Sequence, residues 1–164
     1  MMRAASAAFL AALGVWVGGM ATLGFVVAPI LFRSLPSRLE AGTIFGRILG
    51  VFGLLEIGLA LVCLVALVVL RMAGALGSRG AAVRITAVAI MLALVLVSQF
   101  YLSPQIVAER ERIAGFDALP SGTPQKARFD RLHRLSVQVA GATLILGLVV
   151  LGGSAGALGP ADGS

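Results

Sequence analysis

Few residues in this sequence could do chemistry, and an acid and a histidine stand out among them. Glu56 sits inside the apolar run "TIFGRILGVFGLLEIGLALVCLVALVVL", residues 43–70, whose one other charge is Arg47. A charged acid at the centre of a membrane helix costs about 2.5–3.5 kcal/mol, so such groups turn to the bundle interior and are often functional. Matching depths along the apolar runs put Trp16 and Thr143 beside it. Glu56, Trp16 and Thr143 are therefore a candidate intramembrane site for a proton, a cation or a ligand. The plainer alternative is a protonated acid, bonded to a backbone carbonyl or a hydroxyl, that only packs helices.

His133, in "FDRLHRLSVQVAG" at 129–141, is the lone histidine. Bis-histidine haem ligation is impossible within one such chain. His/Met ligation with Met20 or Met91 is arithmetically open, and a symmetric dimer would bring two histidines. No spacing motif places these ligands, so no cofactor is expected, and His133 stays only a candidate metal ligand beside its reading as a helix anchor. Depth matching also gathers Arg47, Gln99, Tyr101, His133, Ser136 and Gln138 into one interfacial layer. That layer is either a polar vestibule for an anionic headgroup or substrate, or ordinary interfacial anchoring by Tyr and Arg. The single cysteine, Cys63, excludes an intrachain disulfide and clustered Cys/His zinc or iron–sulfur sites. No nucleophile–base pair, paired catalytic carboxylates, phosphate loop or HExxH motif is present, and the expectation is that the chain is not an enzyme.

The elements that must position these residues follow from composition. Of the 164 residues 59% are hydrophobic and 12% charged, with a mean hydropathy of +1.04. Soluble domains average about 25% charged residues. The excess lies in four long runs, each supplying the roughly 20 residues that cross about 30 Å of hydrocarbon. The net charge of +6 is scattered between those runs and forms no nucleic-acid patch. The reading is an all-α integral membrane four-helix bundle. Its helices are expected at about 4–28, 43–70, 84–103 and 124–156, the last entering the membrane from about 134. The first run is read as a retained helix that exits near Pro29, because it is too long for a signal-peptide core. The third is expected to stop at Pro104, with "QIVAERER" at 105–112 a kinked or capped extension. Thr123–Pro124 reads as the cap and first position of the fourth. Lys126–Asp130 and Asp130–Arg134 are four-residue pairs along its exposed start. Residues 1–158 then form one transmembrane domain, and 159–164 a short flexible tail.

Arg3, Arg71, Arg79 and Arg84 fall on the side of the termini. Arg33, Arg38, Arg47, Arg110, Arg112, Lys126, Arg128, Arg131 and Arg134 fall on the other. The positive-inside rule counts Lys and Arg. It favours cytoplasmic loops 33–42 and 104–134, in what is expected to be a multi-pass protein of a bacterial inner (plasma) membrane. Small residues should mediate packing, since lipid gives helices no hydrophobic drive to associate. The candidates are "GVWVG" at 14–18, glycines 42, 46, 50 and 53, and Ser136, Ala140 and Gly141. The expected partners are the lipid bilayer and, through those faces, a second copy of the chain.

Several local patterns occur in order: Trp16 and Gly18 in "WVG", Ala28, Pro29 and Phe32 in "APILF", Ala41, Gly42 and Gly46 in "AGTIFG", Pro104, and Phe129, Leu132, His133 and Ser136 in "FDRLHRLS". Together, over roughly 14–150, they resemble an uncharacterised four-helix membrane family that includes transmembrane protein 205. The resemblance implies an integral four-helix membrane protein with no assigned catalytic residues. It also implies that the His–x–x–Ser pair and the Pro29 turn belong to the family's pattern. Two hypotheses follow: a non-enzymatic accessory or scaffold-like membrane protein, or a small transporter or permeation module using Glu56. A haem or metal protein using His133 is a third.

Overall fold

A computed structural model describes residues 1–113, 115–120 and 122–158, with side chains through 154. Among these residues it is all-α, with four helices long and apolar enough to cross a membrane. They are α1 (Met2–Ser34), α2 (Arg38–Met72), α3 (Ser78–Arg112) and α4 (Ala127–Leu158). A short 3₁₀ turn at Phe116–Ala118 lies between α3 and α4. The tail expected at 159–164 lies outside the described residues. The main contacts run α1–α2, α2–α3, α3–α4 and α4–α1, so the helices stand in a square with successive neighbours antiparallel.

The first three helices outrun the sequence expectation, chiefly on the side of the 33–42 and 104–134 loops. Thirty-five residues of α2 or α3 span about 52 Å, against about 30 Å of hydrocarbon. Neither Pro29 nor Pro104 ends its helix. Each is instead preceded by one wide turn, Leu23–Val27 and Ser98–Leu102. There the residue just before the proline donates its N–H five residues back, Ala28 to Leu23 and Ser103 to Ser98. Proline lacks an N–H and crowds the carbonyl four residues earlier. A single π turn absorbs both defects without breaking the rod. The two sites share the pattern Phe–x–x–small–Pro, "FVVAP" at 25–29 and "FYLSP" at 100–104.

The ends follow ordinary capping chemistry. Leu35 is extended, as the residue before Pro36 must be, and the Ser37 hydroxyl then accepts the Glu40 N–H at 3.0 Å. At the far end of α2, Gly74 takes φ +71° and Ala75 donates to the Leu70 carbonyl at 3.0 Å. This is a glycine-terminated helix stop. The expected start of α4 is corrected. Thr123–Lys126 is a turn closed by Lys126 N–H to the Thr123 carbonyl at 2.9 Å, and the helix begins at Ala127. The Thr123 hydroxyl bonds back to the Pro120 carbonyl, not to the helix. Lys126 and Asp130 do not pair along α4 either. Lys126 is buried in the connection, and Asp130 accepts the Gly122 N–H at 2.8 Å.

The core carries a three-four spacing that the uniformly apolar sequence conceals. Phe9, Leu13 and Trp16 on α1, Ala60, Cys63, Leu67 and Leu70 on α2, and Val88, Met91 and Val95 on α3 are buried together. Thr143 and Ser154 on α4 are likewise buried. Equally apolar Val15, Leu54, Val83 and Ile145 face outward. The small-residue expectation holds only in part. A Cβ on Gly14, Gly18, Gly46 or Gly50 would meet nothing, whereas Gly19 lies under Phe52, Gly53 under Gln99 and Gly147 under Val17 and Met91. Steps of four residues drift about 40° past each full turn. The glycine series therefore winds off the packing face at 46 and 50 and returns to it at 53.

Candidate functional site

Glu56 follows Gly53 by three residues on the inward face of α2, and α1 brings Trp16 opposite it. The indole Nε1–H donates to Glu56 Oε1 at 2.8 Å, and both side chains are buried. Glu56 retains 9% exposure. Among the described residues the indole is its one hydrogen-bond partner. Thr143 is also buried, but its hydroxyl donates to the Val139 carbonyl one turn back at 2.9 Å. Of the three depth-matched residues, then, the structure joins Trp16 and Glu56 and occupies Thr143 with its own helix.

The residues of the interfacial layer differ in surroundings. Arg47, Tyr101, His133 and Gln138 are exposed. The Ser136 hydroxyl donates to the His133 carbonyl at 2.9 Å, so the His–x–x–Ser pair is a backbone contact and leaves the imidazole uninvolved. Gln99 alone turns inward. Its Nε2 donates to the carbonyls of Leu49 at 2.9 Å and Gly50 at 3.3 Å, and it fills the place a Cβ on Gly53 would need. Among the described residues no hydrogen bond joins the side chains of any two of these six. Depth matching gives height along the bundle normal but not the direction in which a side chain points, and Gln99 lies over Gly53, three residues before Glu56 on α2.

His133 stacks on Phe129, rings parallel within 3° and centroids 5.9 Å apart. Phe129 meets Phe116 edge-on at 4.8 Å. Met91 lies against Gly147 in the core, fourteen residues along α4 from His133, or about 21 Å. The two cannot share an iron. Met20 packs against the main core cluster. Among the described residues no group of three or more His, Cys, Asp or Glu could hold a metal ion.

Outside the hydrocarbon, described residues of the connection between α3 and α4 bond to the helices and to one another, in contacts that the sequence reading did not foresee. Asp117 reaches the start of α2, accepting the Leu39 N–H at 2.9 Å and the Ser37 hydroxyl at 2.5 Å. A carboxylate there meets two donors and the positive end of the helix dipole. The Ser37 bond, helped by the Leu39 N–H and by Lys126 and Arg38, outweighs desolvation and holds the carboxyl below its ordinary value. Buried Lys126 donates to the carbonyls of Phe116 at 3.3 Å and Leu119 at 3.1 Å, with its ammonium 4.0 Å over the Phe116 ring. Arg110 donates to the Thr43 hydroxyl at 3.1 Å beside Gly42. Glu109 pairs with Arg128 at 3.1 Å and Arg112 at 3.3 Å. Only Ser37, one residue past Pro36 and three before Glu40, carried a local signal, that of a capping box. The others depend on contacts across as many as eighty residues. On the opposite side Arg84 ties α3 to α4, donating to Ser154 Oγ at 2.8 Å and the Gly153 carbonyl at 2.6 Å.

Most of these bonds join one element to another, and the carboxylate, guanidinium and ammonium groups that make them are spent on structural partners. Compared with known proteins, the chain finds no match among the curated proteins or among the solved structures. A family model described as a domain of unknown function matches residues 11–114, which takes in Trp16, Glu56, Gln99 and Arg110 but stops short of α4. With more than half of its length matched, the chain belongs to this family, the domain of unknown function DUF4149.

Proposed function

We propose that the chain is a non-enzymatic, accessory or scaffold-like integral membrane protein in which Glu56 is a packing group. The observation that carries this reading is the Trp16–Glu56 hydrogen bond, 2.8 Å long and buried. Gln99, lying over Gly53, fills the approach from the nearer interface and supports the same reading. The ordered motifs that resemble the family of transmembrane protein 205 support a kinship with that family within the wider domain. Nine Lys and Arg on one side against four on the other support a plasma-membrane orientation with the 33–42 and 104–134 loops cytoplasmic. Gly14 and Gly18, which face open space, suit contact with a second copy of the chain.

The competing reading is a small transporter using Glu56 for protons or cations, and the mid-depth position of that acid favours it. Proteoliposomes under an imposed pH gradient separate the two. Packing predicts that neither the native chain nor Glu56→Gln moves protons or monovalent cations faster than empty liposomes. Flux by the native chain that vanishes in Glu56→Gln would overturn it.

A further inference from the structure

The outer face between α1 and α2 carries a groove of about 470 Å³ lined by Leu23, Arg47, Ile48, Val51, Phe52 and Leu55. Its floor is Phe52, whose ring lies on Gly19 where no side chain intervenes. Its wall on α1 is the start of the wide turn that precedes Pro29. Every lining residue is apolar except Arg47. Arg47 is exposed, and among the described residues it makes no hydrogen bond or ion pair.

The height of Arg47 identifies what such a groove would hold. Glu56 marks the middle of the 43–70 run, and nine helical residues place Arg47 about 13 Å above it. Half of a 30 Å hydrocarbon layer is about 15 Å, so the guanidinium stands at the level of lipid phosphates. From Arg47 to Leu55 the groove descends about 12 Å, close to the depth of one leaflet's acyl chains. We infer that this groove is a binding site for an anionic phospholipid, with one acyl chain along Leu23, Val51, Phe52 and Leu55 and the phosphate held by Arg47. A guanidinium presents a donor fork that fits two phosphate oxygens. The same side of the protein carries nine basic residues against five acidic ones, which favours an anionic over a zwitterionic headgroup. A second copy seated symmetrically across this groove would instead bring two Arg47 side chains together.

The test is native mass spectrometry of the full chain released from micelles. The micelles contain phosphatidylglycerol and phosphatidylcholine with identical acyl chains in equal amounts. One phosphatidylglycerol should be retained in preference to phosphatidylcholine, and Arg47→Gln should cut that preference about tenfold. Arg134→Gln, an exposed charge on α4 that removes the same unit of charge from the same side, should reduce it far less. Val51→Trp, which fills the groove, should lower retention of both lipids while the thermal midpoint holds. Equal retention of the two lipids by the native chain would overturn the inference. So would a preference that Arg47→Gln and Arg134→Gln reduce alike, which would indicate diffuse surface charge, or displacement of the lipid by soluble glycerol phosphate.

Discussion

The side chain of Gln99 lies across Gly53 and fills the position a Cβ there would take, while its amide bonds to the carbonyls of Leu49 and Gly50. The glycine is thus required by close approach between α2 and α3, not by backbone conformation. Gly53→Ala should destabilise the bundle by about 1–3 kcal/mol through overpacking, even though alanine favours the helix by about 1 kcal/mol. Adding Gln99→Ala should recover most of that loss, because the new methyl group then has room. Unfolding in mixed micelles checks both variants. A Gly53→Ala chain as stable as the native one would show that the contact does not constrain the helices.

Asp117 links the extramembrane connection to the start of α2, and that link should depend on acid. Its carboxyl is held below the ordinary value, first by the Ser37 hydroxyl. The stabilisation is therefore complete above the ordinary carboxyl value and is lost as pH falls through the lowered one. Protection of the Leu39 amide, relative to the exchange of a free amide at the same pH, should be high at neutral pH and fall below about pH 4. Asp117→Ala should lower that protection severalfold at neutral pH, make little difference once the native carboxyl is protonated, and so abolish the pH step. A step that survives in Asp117→Ala would assign the titration to another group.

The apolar runs made the four crossings and their order legible, because bilayer thickness sets a length that runs in the sequence directly report. Their ends were less so. Pro29 and Pro104 read as stops, yet a wide turn ahead of each lets the helix continue. No local rule separates a proline that ends a helix from one that a π turn accommodates. Glu56 and Trp16 could be matched by depth, since a residue's place along a run gives its height. The direction of Arg47, Tyr101 and His133 could not, because lipid-facing and core-facing positions are equally apolar and leave no periodicity to read. The roles of Asp117 and Lys126 were not legible for a different reason. Apart from the Ser37 hydroxyl, eighty residues from Asp117 in sequence, their partners, the Leu39 N–H for one and the carbonyls of Phe116 and Leu119 for the other, are backbone groups, which carry no residue signature.

The central claim is that Trp16 and Glu56 tie α1 to α2 through their buried hydrogen bond, and a double-mutant cycle tests it most directly. Trp16→Phe, Glu56→Ala and the pair together would be unfolded reversibly in the same micelles. Hydrogen bonds between membrane helices couple by about 0.6 kcal/mol on average and reach about 1.7 kcal/mol. The account places this bond toward the upper end, with a coupling of about 1 kcal/mol or more. Glu56→Gln, which keeps an acceptor for the indole, should lose much less than Glu56→Ala. Losses that simply add, with no coupling between the two positions, would contradict the claim.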